Sequence, residues 1–103
     1  NLGGYKMKVT NLKSTSGNPV ANQFIIEGDT LGNGCKDQWL QSYDSIIVYI
    51  DNYVGGTHLD EKYWNYSRTT SKYRNIFLGE NTKETQAKID SGEYTLTNLN
   101  EGA

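Results

Sequence analysis

Between residues 67 and 92 the chain carries two complete sets of helix punctuation, and this limits the folds open to it more than any other feature. Ser67 or Thr69 can cap a helix that runs to about Leu78, and Gly79 can stop it in the left-handed conformation that glycine adopts at low cost. Tyr66, Tyr73, Ile76 and Phe77 recur at helical spacing on one side of that segment. Asn81 and Glu84 have the spacing of a capping box, Ile89 faces inward and Gly92 ends a second, shorter helix.

On both sides of this block the periodicity is two rather than 3.6. Tyr5, Met7 and Val9 alternate with Lys6, Lys8 and Thr10, which predicts a half-buried strand. A polar loop from Asn11 to Asn18 leads to a second strand over Val20 to Asp29, and Gly32-Asn33-Gly34 reads as a turn. Gln38 to Asp51 is the longest extended segment. Its end, Ile46-Ile47-Val48-Tyr49-Ile50, is apolar on both faces, which predicts a central strand covered on both sides with Ile46, Val48 and Ile50 buried. Gly55-Gly56 offers a hairpin turn into Thr57 to Trp64, and Tyr94 to Leu99 closes the chain as a last strand. Strands that run together before the helices predict an α+β fold: a small antiparallel sheet of about four to five strands with two short helices on one face.

At 103 residues the chain has room for one domain, read as residues 7–100, with residues 1–6 and 101–103 as tag or flanking sequence. Only 35% of residues are hydrophobic, so the core must lean on eight Tyr, two Trp and two Phe. The net charge of −2 argues against a general polyanion binder. The one cysteine, Cys35, allows no intrachain disulfide, and no apolar run is long enough to span a bilayer. These features predict a cytoplasmic protein without a membrane partner.

Complete catalytic constellations are absent from the sequence. Nucleophilic catalysis needs a nucleophile, a base and a group that orients the base, yet there is one His and one Cys. Cys35 and His58 fall short of the ligand count of a zinc site. Adjacent carboxylates such as Asp60 and Glu61 point to opposite faces of a strand. The expectation is a non-enzyme with no catalytic residues, no metal and no cofactor.

Binding residues are read from two segments. In Tyr63 to Arg74, aromatic and basic residues interleave, a pattern that grips phosphates and stacks bases. Arg68 and Lys72, four apart, share a helix face with Asn75, while Arg74 projects elsewhere. In Gln38 to Asp44, Trp39 and Tyr43 stand beside amides and hydroxyls and are candidate interface anchors if exposed; both could equally pack over the helices.

The stretches Gln41-Ser42-Tyr43-Asp44-Ser45-Ile46-Ile47 and Leu59 to Gly79, the latter with the pattern YW-x-YS-x-TT-x-KY, resemble small proteins encoded by tailed bacteriophages and prophages. The likeness extends through Glu84 to Leu99. That family has no established activity, so it transfers no site residue. It implies a phage accessory protein acting in a bacterial cytoplasm. Together with the lack of catalytic machinery, this leads to the expectation of stoichiometric binding to a host or phage macromolecule, with a host or phage protein as partner, in host takeover or anti-defence. The alternative is a small nucleic-acid-binding protein using the basic helix face.

Overall fold

A computed structural model describes residues 7–30, 32 and 34–100. The elements are β1 (Lys8–Lys13), β2 (Pro19–Thr30), β3 (Lys36–Ser42), β4 (Ser45–Ile50), β5 (Thr57–Asp60), α1 (Arg68–Leu78), α2 (Thr82–Ser91) and β6 (Tyr94–Thr97). All strands join one six-stranded sheet in the order β1-β2-β3-β4-β5-β6. The fold is α+β, as expected, with a larger sheet. Tyr5, Asn33 and the flanking segments 1–6 and 101–103 lie outside the described residues.

The extra strand comes from Gln38 to Asp51, which is two strands rather than one. Ser42 pairs with Ser45 across a two-residue turn, Tyr43-Asp44. Tyr43 sits at φ 55°, a left-handed conformation in which a bulky residue is a steric outlier. Three contacts fix the turn: the Tyr43 N–H donates to Asn22 O at 2.7 Å, and Gln41 Nε2 donates to Tyr43 O at 2.7 Å, beside the strand pairing itself. No Gly or Asn marks the position, so local turn chemistry gives no signal there.

The first four strand pairings are antiparallel, but β5 and β6 run parallel, in register from Thr57↔Tyr94 to Asp60↔Thr97. This corrects the expectation of an all-antiparallel sheet. A parallel neighbour needs a long crossover, and α1 and α2 provide it. Both helices begin and end where the capping chemistry places them. The Thr70 N–H donates to Ser67 Oγ, and Gly79 closes α1 at φ 71°. Asn81 and Glu84 form a complete capping box at the start of α2.

The core lies between the helices and one face of the sheet. Leu12, Leu40, Ile47, Val48, Leu59 and Tyr94 are buried, and Tyr73, Ile76, Phe77 and Leu78 of α1 and Ile89 of α2 pack on them. A β-bulge in β4 decides which of its residues enter. Leu40 pairs with Val48 while Gln41 pairs with Ile46, so one residue is extra. Both Ile47 and Val48 are thereby buried. Ile46 and Ile50, expected to be buried, are only half-buried, and Ile46 falls on the opposite face. Coverage on both faces, read from the apolar run, is also corrected, because both helices pack on the Leu40–Val48 side. Tyr66, expected on the inner side of α1, precedes the helix and is 70% exposed. Among the described residues, no helix is long and apolar enough to cross a membrane.

Glu80, between the helices, ties the crossover to the sheet. Its carboxylate accepts from Thr85 Oγ1 at 2.6 Å, from Tyr94 Oη at 3.2 Å and from Lys88 Nζ at 2.6 Å. Burial alone would raise its pKa, but these three donors outweigh burial and hold it below the ordinary 4.5. Because the folded pKa is lowered, this contribution to stability is present above the unfolded-state value and is lost as pH falls through the folded one.

Two outcomes check this description. Val48→Asp places an unpaired charge in the core and is expected to abolish the cooperative thermal transition, whereas Ile46→Asp, on the opposite face, is expected to retain it; equal behaviour of the two would contradict the bulge. Glu80→Gln is expected to flatten the dependence of unfolding free energy on pH below about 4.5, measured by denaturant titration at a series of pH values.

Candidate functional site

Strand register, rather than any local motif, assembles the candidate surface. Direct cross-strand partners share a face of a sheet. Following the pairings from edge to edge gives one continuous row: Val9, Ile26, Trp39, Tyr49, His58 and Thr95. A second row, one pair away, holds Asn11, Phe24, Gln41 and Ile46. Both rows lie on the face opposite Leu40 and Val48. Phe24, Ile26, Trp39, Ile46 and Tyr49 are accordingly half-buried and take no part in the helix-covered core.

The centre of this face is a ladder of rings. Trp39 stacks on Tyr49 with centroids 5.1 Å apart, and Tyr49 stacks on His58 at 5.6 Å, each pair within 19° of parallel. Such spacing is the offset-stacked arrangement that aromatic pairs favour. Each ring fixes its neighbour, so the surface is pre-organised before any partner arrives and loses little side-chain entropy on binding.

Carboxylates mark one end of the ladder. Tyr49 Oη donates to Asp37 Oδ2 at 3.2 Å, and Asp37 Oδ1 accepts the Asn52 N–H at 2.9 Å. Asp51 Oδ1 accepts the N–H groups of Tyr53 and Val54, each at 3.0 Å. The backbone donors of Val54 and Tyr53, with a smaller contribution from nearby His58, hold the Asp51 carboxyl below its ordinary pKa. Neither transverse row contains Lys or Arg, so the face is apolar at the centre with negative charge at one end.

The residues singled out from sequence are dispersed. Trp39 is at the centre of the open face, not over the helices. Tyr43 occupies the β3–β4 turn and is 56% exposed. Arg68 and Lys72 are exposed on α1, with Lys72 Nζ 5.3 Å from the centre of the Tyr73 ring. Asn75 is half-buried and donates to Thr82 Oγ1 at 3.4 Å.

Arg74 is 0% exposed and is absent from the basic surface read from the sequence. It lies one turn beyond Thr70, the other buried residue of α1. Its guanidinium donates to Trp64 O, to Asn65 Oδ1 at 3.3 Å, to Asn75 Oδ1 at 2.9 Å and to Thr82 Oγ1 at 2.7 Å. It also lies 5.1 Å from the centre of the Trp64 ring. Burial lowers its pKa, and the nearby Glu80 carboxylate opposes that. Spacing alone separates Arg68 and Lys72 from Arg74 but gives no sign that the latter points into a polar socket. Ile26, Tyr49 and His58 went unnoticed as surface residues because each belongs to a different strand and only the register brings them together.

The chain belongs to a family of unknown function, DUF8033, whose family model matches residues 7–93. No curated protein and no solved structure matches the chain.

Truncating Arg74 leaves Trp64 O and Asn75 Oδ1 without the guanidinium, takes one of two donors from Asn65 Oδ1 and Thr82 Oγ1, and opens a cavity beside Trp64. Arg74→Ala is expected to lose about 3 kcal/mol of unfolding free energy. Arg68→Ala and Lys72→Ala, at exposed sites, are each expected to stay within about 0.5 kcal/mol of the parent. Urea denaturation of the three variants checks both statements.

Proposed function

We propose that this DUF8033 protein is a stoichiometric binding protein that docks on a protein partner through the open sheet face centred on Trp39, Tyr49 and Ile26. The observation that carries the reading is the ring ladder on an apolar face which neither helix covers. A pre-organised aromatic centre is the feature that most distinguishes the energetic core of protein interfaces. Asp37 and Asp51 at one end favour a partner that surrounds an apolar patch with Lys or Arg, since opposed charges guide orientation and encounter. We read the protein as a non-enzymatic accessory factor of a phage or prophage, on the strength of the YW-x-YS-x-TT-x-KY resemblance. On that reading its partner is a host or phage protein in the bacterial cytoplasm, engaged in host takeover or in blunting a defence.

Nucleic acid is the weaker alternative. A single-strand platform needs cations tracking the backbone beside its aromatics. The two transverse rows supply none, and of the three cations in the α1 segment only Arg68 and Lys72 remain on the surface.

The test is affinity capture from host lysate with the parent and with a Trp39→Ser/Tyr49→Ser variant shown to fold. The reading expects a partner retained by the parent in 0.3 M salt (a level that strips most phosphate-dependent complexes, about one order of magnitude for every two contacts) and lost by the variant. Indistinguishable capture by both proteins would retire the open face. Binding to single-stranded DNA that weakens steeply with salt and depends on Arg68 and Lys72 would favour the alternative.

A further inference from the structure

His58 is the chain's single histidine, and the strand register sets it on the open sheet face rather than in the core. It is half-buried, lies opposite Tyr49 on β4 and Thr95 on β6, and ends the ring ladder. Histidine is the side chain whose charge ordinarily changes between about pH 5 and 8. We propose, resting on the reading of the open face as a docking surface, that docking there is proton-sensitive: the face holds its partner while His58 is neutral and releases it when His58 is protonated.

The surroundings of His58 suit this role. On β4, the Tyr49 ring lies within 19° of parallel to the imidazole, with centroids 5.6 Å apart, so an imidazolium would meet the negative face of an aromatic. Beyond Tyr49, at its hydroxyl, is the Asp37 carboxylate. The β4–β5 turn carries Asp51 and Tyr53, and Asp51 is near enough for His58 to contribute to its lowered pKa. On β6 the direct partner is the uncharged Thr95, and the charged residue of that segment is the exposed Glu93, just before the strand. On β5 itself, Asp60 has its carboxylate occupied by the N–H groups of Lys62, Tyr63 and Leu99. No Lys or Arg belongs to β4, β5, β6 or the β4–β5 turn. The charges in these elements are all carboxylates, the sign that pairs with an imidazolium.

Two consequences of a proton on His58 act in the same direction. A full charge enters an apolar contact, and a charge that docking takes out of water is costly unless it is paired. If it pairs with Asp51, it offsets the carboxylate that attracts a Lys or Arg rim on the partner. In both cases the protonated face holds a basic-rimmed apolar patch more weakly. The fold itself withstands the change, because Glu80 keeps its charge to below the ordinary 4.5.

The experiment has two arms. In the first, ¹H–¹³C NMR shifts of the His58 ring are followed in the full chain from about pH 8 to about pH 5. The expected result is a titration within that range. A ring whose shifts do not change overturns the proposal, whether or not a partner is in hand. In the second, columns of the parent and of His58→Phe, which keeps a ring in the ladder without a proton to gain, are loaded with host lysate at about pH 7.5 and stepped to about pH 5.5. The fraction of each column's own bound protein that comes off is read. The parent is expected to retain about tenfold less after the step, and His58→Phe to retain what it had bound. Should His58→Phe fail to fold, His58→Gln replaces it. A partner held equally by the parent at both pH values overturns the proposal and leaves the docking surface standing. Release from both columns assigns the titration to the partner and overturns it as well. If the parent retains nothing at about pH 7.5, the docking surface itself fails, and this proposal with it.

Discussion

The buried guanidinium of Arg74 is the interaction on which the helical half of the molecule rests. It joins the loop after β5 through Trp64 O and Asn65, its own helix through Asn75, and the first turn of α2 through Thr82. A planar group with five donors can serve several fixed acceptors at once, which a lysine cannot. Burying a cation is costly unless it is paired and hydrogen-bonded. The two terminal nitrogens of Arg74 meet that condition with four acceptors, a tryptophan face and the field of Glu80, while its buried Nε has no partner. Glu80 in turn holds α2 and β6 through Lys88, Thr85 and Tyr94. The two groups form a polar spine through the crossover that sets β6 parallel to β5.

Asp60 completes the same junction from the sheet side. Its carboxylate is buried at the end of β5 and accepts the N–H groups of Lys62, Tyr63 and Leu99. One side chain thus turns the chain out of β5 and anchors the segment after β6. Beyond it, Asn100 bonds both the N–H and the carbonyl of Ile46, doing for β4 what a longer β5 would do. These contacts span 39 and 54 residues of sequence, so their role is invisible to any local pattern.

That contrast explains what could be read in advance. Capping is short-range chemistry, and Ser67, Gly79, Asn81, Glu84 and Gly92 all act where their spacing placed them. Alternation located the strands but not their number, because the turn at Tyr43-Asp44 relies on long-range bonds to Asn22 and on Gln41 instead of on glycine. The apolar run in β4 implied two covered faces; a bulge instead sends two neighbours, Ile47 and Val48, to the same side. Arg74 was separable from Arg68 and Lys72 by helical phase, but its acceptors come from three segments. Trp39 stood out as a large aromatic beside amides, but its half-buried place on the open face and its companions Tyr49 and His58 emerge only from the register.

Register also binds the surface to the core. A slip of one residue in any strand would exchange its two faces, so the row from Val9 to Thr95 exists only while Leu12, Leu40, Val48 and Leu59 occupy the interior. The bulge at Ile47 sharpens this coupling. It absorbs one residue of β4 between Ile46 and Val48, which lets Tyr49 stay opposite Trp39 while Ser45 still closes the turn onto Ser42. The ladder and the β3–β4 turn thus sit on either side of one irregularity in one strand. Without the extra residue, either the rings would lose their stacking partners or Ser42 and Ser45 would lose the pairing that closes the turn. The departures from ideal sheet geometry near this end of the molecule, at Asn22, Tyr43 and Ile47, are therefore the means by which one strand pair keeps both a tight turn and the stacked rings.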